Sequence, residues 1–385
     1  MAKLSDLGGY LTDKYQAFRK TTFLDTGSLI FNAVMGGGLP EGKILELSSE
    51  AGVGKTTAVL SMCLQLVKSG YRVMYIDSEA ALTTGPTGLL RGVGLEEHLF
   101  NAESNPDGLF WVQSVQTYGE IEDILDRTFS TNAFKLIVVD SVAALMDDKY
   151  LYNALEIKKE GTSIVDSRPA EDARIMKNFL RKYKSLCDKK NCTMILINQL
   201  RTALNMTGGP SKMVTTGGKS MEYFPDIIMS LAKPNFIYEK RHVAGSNEEQ
   251  QIAVGCDVIL TASKNKMTNG KIGVPVTIIF GKGISNVGSY TKWLPNKLTT
   301  NQNGDLVPML KVKGGGYNII TLNGVEYPLR GSEAVTNFVR EHFDEIKACF
   351  SEKDFQLVAS ENSEEDIIET SQGSTIVDNY DAIEG

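Results

Sequence analysis

The stretch ILELSSEAGVGKTTAVLSMCLQL, residues 44–66 of a 385-residue chain, decides the fold. Its first residues, ILEL at 44–47, are apolar enough for a buried strand, and apolar residues recur at helical spacing after Lys55. A short turn that contains Gly52 and Gly54 lies between the two patterns. The stretch therefore predicts a strand, a tight turn and an amphipathic helix.

The predicted turn has the composition of a phosphate-binding loop. Backbone N–H groups at a helix N-terminus point toward an anion, and the helix adds a partial positive charge. We expect Lys55 to reach the terminal phosphates of a nucleotide and the Thr56 hydroxyl to ligate Mg²⁺. The P-loop pattern begins with glycine where this chain has Ser49, and serine can hold the turn if its φ is negative. The alternative is a chance GKT sequence in a surface loop.

Two carboxylates complete the predicted nucleotide site. Asp140 ends KLIVVDS (135–141), where it could hold water on Mg²⁺, although a strand-ending aspartate can also cap a helix. Glu79, in YIDSE (75–79), is the candidate base for the attacking water; a surface carboxylate is the alternative. Together these groups indicate hydrolysis of Mg-ATP. The predicted nucleotide-binding residues are Ser49, Glu50, Ala51, Gly52, Val53, Gly54, Lys55, Thr56, Thr57 and Asp140, and the predicted metal ligands are Thr56 and Asp140.

Other apolar, β-branched runs recur along the chain with helix-like stretches between them. Such runs are typical of parallel strands whose two faces are covered by helices. We therefore predict an α/β core with a mostly parallel twisted sheet, and later runs without long helices between them predict an antiparallel extension. The first group is residues 44–47, 72–76, 109–113, 135–139 and 193–197, and the second is 226–231, 257–263 and 275–280.

The chain beyond this core predicts smaller units at both ends. An N-terminal arm at 1–22 has one apolar helical face, which could dock on its own core or on a neighbouring subunit. A core at 23–299 is followed by a small α+β domain at 300–358, in which Asn323-Gly324 predicts a type I′ hairpin. Ser332 is the predicted N-cap of a helix. Its buried face is predicted to be Val335, Phe338, Val339, Phe343 and Ile346.

Charge, apolar runs and cysteine content bear on whether the protein could bind nucleic acid, cross a membrane or form disulfides. The net charge is −7, but residues 361–385 hold eight acids and no Lys or Arg, so the rest of the chain carries +1. This acidic tail (359–385) is expected to stay solvated, either for solubility or as an anionic competitor for nucleic acid. No apolar run approaches the ~18 residues of a membrane helix. Five scattered cysteines indicate reduced thiols, and we expect a cytoplasmic protein.

Several short motifs, in this order, resemble the RecA-type DNA recombinases of bacteria and phages, which are strand-exchange ATPases of DNA repair. The similarity extends over roughly residues 23–290, and the hairpin and helix at 312–346 resemble the small C-terminal domain of bacterial members. The motifs are TGSLIFNAVMGGGLPEGKILEL (26–47), GKTT (54–57), YIDSEAAL (75–82), LIVVDSVAAL (136–145), LINQLR (196–201), TTGG (215–218) and KNK (264–266).

The resemblance implies an activity and a set of partners. It implies a homo-oligomeric helical filament on single-stranded DNA that pairs with double-stranded DNA and hydrolyses ATP with Mg²⁺. Single-strand-binding and mediator proteins would be further partners. Two alternatives remain: a RecA-core DNA motor or helicase, and an ATP-gated DNA-binding assembly protein. In this family Gln199 would sense the γ-phosphate, and Lys264 and Lys266 would reach a neighbouring subunit's nucleotide. The implied catalytic residues are Glu79, Lys55, Gln199, Lys264 and Lys266.

Two segments are candidates for DNA binding. Residues 200–220 carry cations and two Gly-Gly pairs but no acid, which suits a phosphate chain; a glycine-rich connector is the alternative. The resemblance places the second DNA loop there and the first within 156–174. The predicted DNA-binding residues are Arg168, Arg174, Arg201, Lys212, Gly217, Gly218 and Lys219.

Overall fold

The computed structural model describes residues 21–148, 169–203, 212–242, 249–268 and 273–351. Nearly all of the predicted N-terminal arm, Arg168 and the acidic tail lie outside these ranges. Within them, no helix is long and apolar enough to cross a membrane.

Twelve strands precede the C-terminal part of the described chain, and ten of them form one central sheet. They are β1 (Phe23–Leu24), β2 (Leu39–Pro40), β3 (Ile44–Ser49), β4 (Arg72–Asp77), β5 (Phe110–Ser114), β6 (Phe134–Asp140), β7 (Thr193–Ala203), β8 (Lys212–Thr215), β9 (Ile227–His242), β10 (Glu249–Asn265), β11 (Gly273–Ile279) and β12 (Gly283–Ser285). Strands β1 and β2 pair with each other.

The central sheet has the order β12-β11-β10-β9-β3-β7-β6-β4-β5, and β8 pairs with β7 outside this row. Neighbours from β9 to β5 are parallel, whereas β9 to β12 are antiparallel. The predicted parallel sheet with an antiparallel extension is therefore confirmed. Strand β9 belongs to both parts, because it is parallel to β3 and antiparallel to β10.

Helices cover both faces of the sheet. Helix α4 begins with a capping box in which Thr117 and Glu120 bond each other's backbone N–H groups, as the TYGE sequence favours. The helices are α1 (Leu29–Met35), α2 (Lys55–Lys68), α3 (Leu89–Val93), α4 (Tyr118–Thr131), α5 (Pro169–Lys190), α6 (Lys219–Tyr223), α7 (Asn286–Trp293), α8 (Gly331–Glu341) and α9 (Phe343–Ala348).

Strand β3 shows how the two faces are divided. Leu45 and Leu47 belong to the apolar cluster that contains α2, while Ile44 belongs to the cluster that contains α4 and α5. Side chains alternate along a strand, so Glu46 points to the same face as Ile44. A buried carboxyl group therefore lies between Ile44 and Ser48 on this face of the central strand.

The C-terminal part forms two small antiparallel sheets followed by α8 and α9. The hairpin prediction is confirmed, because Asn323 (φ 51°) and Gly324 (φ 81°) both have positive φ. The N-cap prediction for Ser332 is wrong: α8 begins at Gly331, whose φ of 84° makes the turn out of the last strand. The strands are β13 (Leu298–Thr300), β14 (Leu306–Pro308), β15 (Leu310–Lys313), β16 (Tyr317–Leu322) and β17 (Val325–Arg330).

The predicted apolar face of this last helical segment is confirmed. Val335, Phe338, Val339 and Ile346 are buried, and Phe343 packs against them while partly buried. These residues belong to the same apolar cluster as α2, so the C-terminal part packs directly on the core.

Candidate functional site

The predicted nucleotide-site residues other than Lys264 and Lys266 meet where β3, β4 and β6 end, beside Gln199 of the longer β7. The register places Ser49 of β3 beside Gln199 of β7, and Asp77 of β4 beside Asp140 of β6. Open parallel sheets bind ligands at this edge, because the loops that follow the strands form a crevice there. The nucleotide-binding and hydrolytic residues predicted from separate motifs are thus brought to one place.

The loop between β3 and α2 has the backbone that its glycines predict. Gly52 and Gly54 have φ of 76° and 96°, values that side-chain-bearing residues rarely adopt. A β-carbon at Gly54 would lie 2.9 Å from Cγ2 of Ile278, so glycine is needed there for packing against the protein itself. A β-carbon at Gly52 would meet no protein atom within 4 Å, which leaves that side open to a ligand. Ser49 holds the turn without positive φ, as expected.

The ammonium group of Lys55 lies inside this loop. Its Nζ donates to the carbonyl oxygen of Ser49 at 3.2 Å, to Oγ of Ser49 at 3.0 Å and to the carbonyl oxygen of Glu50 at 2.9 Å. Burial lowers the pKa of Lys55, and the nearby carboxylates of Asp140 and Glu79 partly oppose that shift. All three bonded oxygens are neutral, so a charged phosphate oxygen would be a stronger partner for this cation.

Thr56 and Asp140, the predicted metal ligands, are directly bonded. The Thr56 hydroxyl donates to Oδ2 of Asp140 at 2.6 Å, and the Tyr75 hydroxyl donates to the same oxygen at 2.6 Å. Burial raises the pKa of Asp140, as do the carboxylates of Glu79 and Asp77, whereas the two hydroxyl donors lower it. Among the described residues no group of three or more His, Cys, Asp or Glu could hold a metal ion, so a cation here would depend on Thr56, Asp140 and the phosphates of a bound nucleotide.

Glu79 and Gln199, predicted from different motifs, are in contact. Nε2 of Gln199 donates to Oε1 of Glu79 at 3.1 Å, and the Ser141 hydroxyl donates to the same oxygen. Glu79 is exposed at the mouth of the crevice, while Gln199 is half-buried. The candidate base and the candidate sensor therefore share a hydrogen bond.

Three residues of the site were missed by sequence reasoning. Asp77 accepts backbone N–H groups of Glu79, Ala81 and Leu82 and so shapes the loop that carries Glu79. Its signal was present, because it ends the strand two residues before Glu79. Ser141 follows Asp140 directly, while Tyr75 lies within an apolar strand where nothing in the sequence marks its hydroxyl.

A nucleoside triphosphate with Mg²⁺ fits these residues. The 14-residue helix α2 presents its N-terminus to the loop, and Gly52 leaves the adjacent space free. The bonded hydroxyl and carboxyl oxygens of Thr56 and Asp140 are the hard donors that Mg²⁺ prefers.

The glycine-rich segment at 200–220 is more regular than predicted. Strand β7 continues to Ala203 and pairs with β8, so a hairpin carries this segment, and α6 begins at Lys219. The prediction that the strand ends near residue 197 is therefore wrong. The exposed side chain of Arg201 lies on this hairpin, Lys219 is exposed at the start of α6, and Lys212 begins β8.

The ends of the two predicted DNA segments converge. Gly217 and Gly218 have φ of 98° and 60°. A β-carbon at Gly217 would lie 3.2 Å from Cγ of the buried Met176 on α5, and one at Gly218 would lie 3.9 Å from Cβ of Ala173, the chain neighbour of the exposed Arg174. The part of α5 that carries Arg174 thus lies next to the glycine pair that precedes Lys219, while Arg168 lies outside the described residues.

Lys264 and Lys266 are not brought to the nucleotide crevice. Nζ of Lys264 donates to the carbonyl oxygens of Glu222 and Tyr223, both at 2.8 Å. Nζ of Lys266 pairs with Asp226 at 2.9 Å. Burial lowers the pKa of Lys264, and the neighbouring charges of Lys266 and Lys184 add to this shift.

Comparison with known proteins agrees with this geometry. The model described as the RecA N-terminal domain matches residues 11–285. The chain is similar to the protein RecA of Fusobacterium nucleatum (33% identity; 69% of this chain, 62% of the relative), of Delftia acidovorans (31%; 71% and 66%) and of Sulfurimonas denitrificans (32%; 69% and 68%). The matched region thus spans about two thirds or less of the first two relatives. The chain belongs to the RecA family.

Proposed function

We propose that this chain is an ATP-dependent DNA recombinase that forms filaments on single-stranded DNA. It pairs the bound strand with homologous double-stranded DNA, exchanges strands and hydrolyses ATP to ADP and phosphate in a DNA-dependent way. The observation that carries the proposal is the 3.1 Å hydrogen bond between Gln199 and Glu79. This bond joins the candidate hydrolytic base to the strand that continues into the basic, glycine-rich hairpin.

The nucleotide is held by the loop from Ser49 to Gly54 and by the start of α2, Lys55 to Thr57. Backbone N–H groups and the Lys55 ammonium bind its phosphates, and Thr56 with Asp140 holds Mg²⁺. When bound, Mg²⁺ neutralises charge on the phosphate oxygens and so favours attack by water. Tyr75 fixes the Asp140 carboxyl group by its 2.6 Å hydrogen bond.

Hydrolysis uses Glu79 to orient and deprotonate water. Ser141 and Gln199 hold its Oε1, which leaves the other carboxylate oxygen available for a water molecule. Gln199 changes partner with the state of the nucleotide, because its amide can donate either to Glu79 or to a terminal phosphate oxygen. The hairpin that follows Gln199 then responds to the nucleotide.

DNA is bound by the convergent basic segments. Arg201, Lys212 and Lys219 supply cations, and Gly217 and Gly218 allow the backbone to approach the phosphates. Arg168 and Arg174 of the first DNA segment complete this set.

Lys264 and Lys266 act on the nucleotide of the adjacent subunit in a helical homo-oligomer, to which the arm at 1–22 also contributes. The remaining divisions are a core at 23–299, a C-terminal domain at 300–358 and a tail at 359–385. Single-strand-binding and mediator proteins are further partners. Four of the five free cysteines are buried thiols, which supports a cytoplasmic location.

The test compares ATP hydrolysis with and without single-stranded DNA, using Lys55→Ala and the matched control Lys68→Ala at the exposed end of the same helix. We expect DNA to stimulate phosphate release by wild type and Lys68→Ala and not by Lys55→Ala. DNA-stimulated hydrolysis by Lys55→Ala would refute the nucleotide site. Exchange between circular single strands and homologous linear duplex identifies a recombinase, whereas unwinding of a forked duplex without homology would identify a helicase.

A further inference from the structure

We propose that Glu46 is a positioning residue that couples the nucleotide site to the glycine-rich DNA hairpin. The inference rests on the proposed function and adds a residue outside the phosphate loop and the basic segments. It follows from the contacts of one buried carboxyl group with both ends of that hairpin.

The first contact reaches the strand that leads into the hairpin. Glu46 is 1% exposed and its Oε1 accepts a hydrogen bond from Nδ2 of Asn198 at 2.8 Å. Asn198 is also fully buried, and its Oδ1 accepts the backbone N–H of Gln199 at 2.9 Å. The side chain of Asn198 therefore connects Glu46 to the backbone of the candidate sensor.

The second contact reaches the end of the hairpin. The Thr215 hydroxyl donates to the Glu46 carboxyl group, and Nδ2 of Asn198 also donates to the carbonyl oxygen of Thr216 at 2.9 Å. Gly217 and Gly218, both with positive φ, follow directly. Glu46 and Asn198 together thus bind the segment just before the glycine pair, where the backbone is most easily rotated.

The bonds form a closed path from sensor to hairpin. A shift of the Gln199 backbone moves Asn198, and Asn198 is bonded to Glu46 and Thr216. Because β3 also carries the phosphate loop, only three residues after Glu46, the carboxyl group connects that rigid strand with both hairpin strands. A two-state movement of Gln199 can therefore be transmitted to the glycine pair.

The chemistry of this position favours such a role over plain packing. The residues level with Glu46 on the two adjacent strands, Leu196 and Ile228, are apolar, and an apolar residue at 46 would avoid the cost of burying a carboxyl group. Burial raises the pKa of Glu46 to about 7; the carboxylate of Glu222 on α6 adds to the rise, and the Asn198 and Thr215 donors oppose it. The two donors to this carboxyl group, Asn198 and Thr215, both come from the strands of the hairpin.

The experiment measures the affinity for labelled single-stranded DNA with and without a non-hydrolysable ATP analogue, and takes the ratio of the two dissociation constants. We expect Glu46→Leu and Thr215→Val each to reduce this ratio about fivefold or more, the lower range of allosteric coupling. In the absence of DNA, binding of the analogue should stay within about twofold of wild type, since neither residue belongs to the phosphate loop. Glu46→Gln should retain the ratio, because its amide can accept from Asn198 and donate to Thr215.

Thr277→Val is the matched control, because Thr277 is a buried threonine bonded to Asp257 in the antiparallel part of the sheet. It should leave the ratio unchanged. The double variant Glu46→Leu/Thr215→Val should lose no more than either single change, as residues on one path do. If Glu46→Leu does not fold, Thr215→Val carries the test.

The outcomes separate this inference from the proposed function. A wild-type protein whose DNA affinity does not respond to the analogue would refute the proposed function. If the wild-type protein responds to the analogue and Glu46→Leu responds equally, the role of Glu46 is overturned while the proposed function stands. Thr215→Val takes the place of Glu46→Leu in this comparison if Glu46→Leu does not fold. A loss of the ratio in Thr277→Val as well would also overturn it, because it would show general destabilisation.

Discussion

The buried carboxyl group of Glu46 predicts a pH-dependent stability that Glu46→Gln should remove. Glutamine has nearly the same size and can bond both Asn198 and Thr215, but it cannot ionise. The exchange therefore leaves packing unchanged and deletes one titration. The difference in unfolding free energy between variant and wild type therefore measures that titration together with its coupling to Glu222.

The sign and size of the effect follow from the pKa. Burial raises the pKa of Glu46 from 4.5 to about 7, so the folded protein binds this proton more tightly than the unfolded chain. Its contribution to stability is complete below pH 4.5 and is lost as the pH rises through 7. The shift corresponds to about 3 kcal/mol at about 1.4 kcal/mol per pH unit. Glu46→Gln should therefore match wild type near pH 4.5 and exceed its unfolding free energy by about 3 kcal/mol above pH 8.

Urea unfolding followed by circular dichroism from pH 5 to pH 8.5 measures this difference. The control is Glu326→Gln, which makes the same exchange at an exposed glutamate of β17. A difference for Glu46→Gln that stays constant over the whole range, or a variant that is less stable than wild type at pH 8.5, would refute the reasoning.

Three other perturbations test separate parts of the proposed function. Lys264→Ala should bind ATP nearly as wild type but hydrolyse it poorly on DNA. In an equal mixture of Lys264→Ala and Lys55→Ala, about a quarter of the interfaces of a head-to-tail assembly should have both lysines intact and regain activity. No regained activity would exclude action across subunits. Deletion of 361–385 should tighten DNA binding, most at low salt; unchanged affinity in a salt titration would indicate a solubility tail. Ser141→Ala removes one hydrogen bond to Glu79 and should lower the maximal rate of DNA-stimulated hydrolysis more than it changes the KM for ATP. A rise in the KM alone would show that Ser141 acts in ATP binding.

The sheet was predictable because its central strands are apolar on both faces. Runs such as 135–139 have no other stable place than between two layers of helices, and their carboxyl ends then share one edge. The extent of β7 was not predictable in this way. Residues 200–203 are partly polar, and they form a strand because β8 pairs with them across the hairpin, which local sequence does not reveal.

The candidate site was predictable where a functional residue lies close in sequence to a recognisable motif, such as a glycine turn or an apolar strand. Lys55 and Thr56 follow the glycine turn, Asp140 ends an apolar strand, and Gln199 follows the apolar run at 193–197. The roles of Tyr75 and Glu46 depend instead on which strands are neighbours. Tyr75 meets Asp140 only because β4 lies beside β6, and Glu46 meets Asn198 only because β3 lies beside β7.

The position of the lysine pair bears on how copies of the chain assemble. Lys264 lies level with Ile228 on β9, which in turn lies level with Glu46 on β3. The phosphate loop begins after Ser49, about 10 Å further along at ~3.3 Å per residue, and the ammonium group is bonded to carbonyl oxygens at the end of α6. If Lys264 stabilises a phosphate, that phosphate is therefore bound by another copy. Contact between the carboxyl edge of one subunit's sheet and the opposite edge of the next subunit's sheet is heterologous. Such contacts produce a helix unless the rotation between successive subunits closes a ring. The same geometry that separates the lysine from its own nucleotide thus requires a head-to-tail assembly, the class of contact to which a helical filament belongs.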